Sequence, residues 1–80
     1  MNKRDILEKI QEIVRDVTDD ENIVLASDTT TDQVEGWDSL SHVQIVTEVQ
    51  DFFNIKFSAR EMISWNNVGD LCDNIAIKLK

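Results

Sequence analysis

Gly36-Trp37-Asp38-Ser39-Leu40-Ser41-His42-Val43-Gln44-Ile45-Val46-Thr47-Glu48-Val49-Gln50-Asp51-Phe52-Phe53 is the stretch whose pattern decides the fold. At about 100° per residue, Val43, Ile45, Val46, Val49, Phe52 and Phe53 cover roughly half of a helical circumference, a broad apolar face suited to the middle of a bundle. Leu40, Gln44, Thr47, Glu48 and Asp51 fall on the opposite face. That places Leu40 as a water-exposed hydrophobe at the head of a polar and acidic stripe. Gly36 provides a flexible turn, Asp38 takes the N-cap and Ser39 the first helical position, so the Ser39 hydroxyl is free of the capping role.

Working outward, Ile6, Leu7, Ile10, Ile13, Val14 and Val17 share about a third of a helix, with Asn2 as N-cap and Asp5 three residues on. Thr18 to Trp37 is polar, acidic and threonine-rich, a long connecting loop that only Ile23, Val24, Leu25 and Val34 can anchor. After an extended link over 54–57, Ser58-Ala59-Arg60-Glu61 has the form of a capping box, with Phe57 and Met62 as its hydrophobic staple. A short third helix follows. Asn67 caps a fourth, on which Val68, Leu71, Cys72, Ile75, Ala76 and Leu79 share one face and Ile77 points away. The pattern predicts an all-α four-helix bundle: three longer helices, a short third one, and a long loop between the first two. An apolar interior is expected between helices two and three, bordered by Val46, Phe57, Met62, Ile63 and Trp65.

The chain is 80 residues long, so residues 1–80 are expected to form a single domain. Its 41% apolar share is too small to wall off a deep catalytic chamber, which disfavours a self-contained enzyme. With 8 basic against 16 acidic residues the net charge is −8, so nucleic acid and anionic lipid are excluded as partners by repulsion and a basic protein is expected. No Lys or Arg stands between Arg15 and Lys56, and ten acidic residues do, which makes the acidity a regional docking field. One cysteine cannot close an intramolecular disulfide, and Met1 to Val17 carries charge throughout, unlike a signal peptide or membrane span. A cytoplasmic location is the expectation.

Backbone N–H groups and the helix dipole at the start of helix two favour an anion, so a phosphodiester on Ser39 suits the position. Gly36-Trp37-Asp38-Ser39-Leu40, followed by Val43, Ile45 and Val46, resembles the acyl carrier protein family, whose signature is an Asp-Ser-Leu opening the second helix. The resemblance extends over essentially the whole chain, through its length, acidic balance, long first loop, short third helix and the valine, Val68, that opens the fourth. It implies a carrier, not a catalyst, whose Ser39 is modified with phosphopantetheine from coenzyme A and whose arm holds acyl intermediates as thioesters for fatty acid, polyketide or related biosynthesis. It implies as partners a phosphopantetheinyl transferase, an acyl-loading ligase or transferase, and synthases with basic docking patches. Glu48 and Asp51 would pair with basic residues of the partner, Glu35 and Asp38 would contribute near the attachment point, and Leu40 and Gln44 would complete the face. A monomer is expected, because that face must stay free for successive partners. Gln44 stands where many carriers have a glutamate, Ser58 where a proline often precedes the third helix, and Trp37 looks more like stand-alone carriers of specialised or polyketide-type pathways than the housekeeping fatty-acid carrier.

Other readings make different demands. A hydrolase would need a base for Ser39; His42 lies three residues along the same helix, but no orienting group or oxyanion loop accompanies it, and packing beside Trp37 explains it better. Asp28, Asp32 and Glu35 lack the ligand alternation and glycine of an EF-hand, so no specific metal site is expected. Cys72 on the apolar face reads as a buried, unreactive thiol. The alternative function is an unmodified acidic helical module that binds a basic partner through helix two; it shares the fold and the docking face and differs only at Ser39.

Overall fold

Asn2 accepts a hydrogen bond from the Asp5 amide at 2.9 Å and starts α1, Lys3–Thr18, in the computed structural model, which describes residues 1–79. Asp19, in the left-handed region, closes α1 with its own amide on the Arg15 and Asp16 carbonyls. Helices α2 (Ser39–Phe53), α3 (Ala59–Ser64) and α4 (Val68–Lys78) follow, and the described residues contain no strand. Asp38, Ser58 and Asn67 cap them, each side chain accepting the amide three residues on. Each cap is a local arrangement of a few residues, which is why all four starts match the sequence expectation.

The core is built by one stripe from each long helix: Ile6, Ile10, Ile13 and Val14 of α1; Ile45, Val46, Val49 and Phe53 of α2; Val68, Leu71, Cys72 and Ile75 of α4. Burying an aliphatic side chain of this kind contributes about 1.5–3 kcal/mol, so these stripes dominate the stability. Helix α1 packs against both α2 and α4 and is the central element. Helix α2, expected in the middle, buries only part of its apolar arc: Val43 is 64% and Phe52 51% exposed. The six residues of α3 bring no fully buried side chain, and Val43 and Phe52 line open grooves against α1. Ile63, expected to border the interior, is exposed on α3, and Leu79 is exposed at the end of α4. As expected, Ile77 points outward and Phe57 is buried, while Met62 and Trp65 are partly covered.

The loop between α1 and α2 is tied down at both ends and in the middle. Arg15 Nε donates to the Ile23 carbonyl at 2.7 Å, and Gln11 Oε1 accepts from the Leu25 amide at 2.8 Å. The Ser27 and Thr29 carbonyls accept from the Gly69 and Val68 amides, so loop backbone caps the free N–H groups of α4. Leu25 and Val34 are buried anchors and Ile23 is partly so; Val24 is exposed, because its neighbours on both sides point inward. A 3-10 turn, Thr31–Gln33, interrupts the loop, with the Gln33 side chain accepting from the Thr30 amide at 3.0 Å. The sequence reading took this segment as plain loop, although Thr30-Thr31-Asp32-Gln33 carries the spacing of a capping box.

Candidate functional site

The chain reaches α2 through Gly36, whose φ of +88° lies where a side chain would be strained and where a Cβ would meet the Thr18 methyl at 3.4 Å. Trp37 then enters the core at 9% exposure, and the backbone turns outward at Asp38. Asp38 Oδ1 accepts the Ser41 amide at 3.0 Å, while the Ser41 hydroxyl accepts the Asp38 amide at 2.9 Å. The same hydroxyl donates to the Gly36 carbonyl at 2.5 Å. The Ser41 hydroxyl also lies 2.9 Å from Asp38 Oδ1, its one proton shared between that carboxylate and the Gly36 carbonyl; the Ser41 amide first, and this hydroxyl next, hold the Asp38 carboxyl below its ordinary pKa. Ser41 is the one buried polar side chain in the described core, and sequence reasoning passed over it. Its signal was its place three residues after the N-cap, where a hydroxyl can return the bond.

Between Asp38 and Ser41, Ser39 and Leu40 face water; Leu40 is 81% exposed. Among the described residues no hydrogen bond engages the Ser39 hydroxyl. Ser39 lines an open cleft of about 510 Å³ with Thr31, Asp32, Trp37, Asp38 and His42. A narrower cleft of about 210 Å³ continues past Trp37 and His42 toward Met62, Trp65, Val68 and Leu71. Of the five residues expected to border an interior between α2 and α3, only Met62 and Trp65 line this cleft; Val46 and Phe57 are packed in the core and Ile63 faces water.

Glu35, Gln44, Glu48 and Asp51 are exposed, like Asp38 and Leu40. Gln44, Glu48 and Asp51 share a stripe of α2, and its acidic end borders α1: Glu48 and Asp51 line one groove with Lys9, Glu12, Asp16 and Phe52. That contribution of α1 was not legible in the pattern of α2 alone. Val43 and Phe52 add exposed apolar surface beside the stripe.

His42 cannot serve as a base for Ser39. Trp37 Nε1 donates to His42 Nδ1 at 3.0 Å, and a neutral imidazole has a single acceptor nitrogen, which the indole occupies. Cys72 is fully buried, and burial pushes its thiol up to about 11, so it is inert at neutral pH. No three His, Cys, Asp or Glu side chains among the described residues converge so as to hold a metal ion.

The all-α body thus presents a solvent-facing hydroxyl at the head of α2. Residues 8–75 match the family described as phosphopantetheine attachment site. An acyl carrier protein of Streptococcus pyogenes is 33% identical over 75 residues, covering 94% of this chain and 97% of that protein. One from Streptococcus thermophilus is 32% identical over the same coverage. The solution structure of holo acyl carrier protein from Geobacter metallireducens superposes with a TM-score of 0.85 at 38% identity, over 92% of this chain and 85% of that one. The chain belongs to the acyl carrier protein family: it bears phosphopantetheine covalently, carries acyl groups between acyl-processing enzymes, and is itself the substrate of a phosphopantetheinyl transferase. Membership in that family, and not the docking face, is what separates it from an unmodified interaction module.

The residues present fit the prosthetic group. A phosphodiester needs a hydroxyl that is open to solvent and not committed to another bond, and Ser39 meets both conditions at the edge of an open cleft. No helix among the described residues is long and apolar enough to cross a membrane.

Proposed function

We propose that Ser39 is the residue to which phosphopantetheine is attached, and that residues 1–80 work as one carrier domain. The observation that supports this reading is the uncommitted, exposed Ser39 hydroxyl between two residues, Asp38 and Ser41, that fix the backbone on either side of it. When bound, the group supplies a terminal thiol that holds acyl chains as thioesters. The chain itself presents the hydroxyl, holds the turn that carries it, and offers a docking face to each enzyme in turn. Leu40 seats in an apolar recess of the partner, and Glu35, Asp38, Glu48 and Asp51 meet its basic residues, with Gln44 supplying a neutral hydrogen-bonding position. Surface charge of this kind raises the encounter rate more than the final affinity, which suits a shuttle that must leave again.

Partners are then a phosphopantetheinyl transferase, a loading ligase or transferase, and synthases with basic patches; nucleic acid and membranes are repelled by the charge of −8. The protein acts as a cytoplasmic monomer. Trp37 favours a specialised or polyketide-type pathway over housekeeping fatty acid synthesis, and Gln44 alters the choice of partner. Fragmentation of the modified protein tests the attachment: the added group is expected on Ser39 within residues 16–56, and finding it on Ser41 or on a loop threonine would overturn the assignment.

A further inference from the structure

His42 has a part in the site that neither capping nor catalysis explains. The Trp37 indole N–H is directed at Nδ1 at 3.0 Å, so in the neutral ring the proton must sit on Nε2. The two rings lie 6.2 Å apart at 30°, and Trp37 is buried, so the imidazole is held by a rigid neighbour. His42 stands three residues after Ser39 on the same helix, a spacing that places side chains side by side, and both line the 510 Å³ cleft. Among the described residues no hydrogen bond engages Nε2, although Asp32 and Asp38 border the same cleft.

The charge pattern explains why such a donor would matter. No Lys or Arg stands between residues 16 and 55, so a phosphodiester on Ser39 enters a field of carboxylates with no cation of its own segment to receive it. Of the two N–H side chains lining the cleft, Trp37 has spent its proton on His42, and His42 retains one. We infer that His42 Nε2–H donates a hydrogen bond to the phosphodiester on Ser39, with Trp37 acting as the positioning residue that fixes the tautomer. This rests on Ser39 being the attachment residue. The contact orients the first bonds of the arm along the cleft and offsets part of the repulsion from Asp32 and Asp38.

The test compares unmodified and phosphopantetheine-bearing protein labelled with ¹⁵N histidine, with intact mass recorded on the same samples. In the modified protein the Nε2–H signal is expected to exchange with solvent at least about tenfold more slowly, the low end of what a hydrogen bond to a charged acceptor supplies, and to correlate with the phosphorus resonance. His42→Phe should still gain the group but shift that phosphorus resonance, and Trp37→Phe should retain the group while showing a mixture of the two ring tautomers and a smaller slowing. A full mass gain with unaltered His42 ring signals would overturn the inference and leave Ser39 standing. No mass gain at all would remove the Ser39 assignment and this contact with it.

Discussion

Ser41 shows how much of the site depends on one buried hydroxyl. It accepts the Asp38 amide at 2.9 Å and donates to the Gly36 carbonyl at 2.5 Å, stapling the turn before α2 to the first turn within it. Removing it leaves two backbone groups without partners in a half-buried place, at about 1–3 kcal/mol. Ser41→Ala is therefore expected to lower stability by that amount in urea unfolding and to slow modification of Ser39 in kcat more than in KM. A variant that modifies at the parent rate would show that the turn is held by other means. Trp37 and His42 were read from the sequence as neighbours, and they are; the directional bond between them was not legible, because periodicity places side chains on faces and is silent about which atoms meet. Gly69 illustrates the same limit: a Cβ there would meet the Ser27 carbonyl oxygen at 2.7 Å, a contact set by a loop 42 positions away in sequence.

Helix α3 is the element with the least packing to hold it, and its attachment is polar. Glu61 Oε1 accepts the Ser58 amide at 2.9 Å, while Oε2 accepts from Asn74 Nδ2 at 2.8 Å and lies 3.0 Å from Lys78 Nζ on α4. These partners, the Ser58 amide first, then Asn74 and Lys78, pull the Glu61 carboxyl down from 4.5 to about 2. A lowered folded-state pKa means that the ionised form stabilises the fold above about 4.5 and that this contribution is lost as pH falls toward 2. Glu61→Gln is thus expected to be less stable than the parent at pH 7, with the gap narrowing steadily between pH 4.5 and pH 2 in chemical denaturation. A gap independent of pH would mean that shape, and not charge, carries the link. At this scale the sequence was informative about starts, since Asn2, Asp38, Ser58 and Asn67 act within four residues of themselves. It was less so about coverage. The apolar arc of α2 is wide, yet an arc records what could be buried; Val43 and Phe52 stay exposed along the open grooves that α2 forms with α1.

Across the molecule, the separation between a neutral-to-basic remainder and an acidic segment from residue 16 to residue 55 places the field where Ser39 emerges. Association governed by such a field weakens as the Debye length shrinks from about 30 Å at 0.01 M salt to about 8 Å at 0.15 M. Modification by a phosphopantetheinyl transferase is accordingly expected to lose kcat/KM several-fold over that range, through KM, and Glu48→Lys with Asp51→Lys should flatten the dependence. A salt-independent rate would place the recognition in Leu40 and its apolar neighbours instead. Fold class could be read from the chain because it rests on local pattern; the α1 wall of the acidic groove could not, since Glu12 and Asp16 join Glu48 and Asp51 only when the two helices pack. The account rests centrally on Ser39, and the most direct measurement is intact mass before and after incubation with coenzyme A and a broad-specificity phosphopantetheinyl transferase, with Ser39→Ala in parallel. One phosphopantetheine gained by the parent and none by the variant is the predicted result; an equal gain by both, or a folded, unmodified parent that gains nothing, would contradict it.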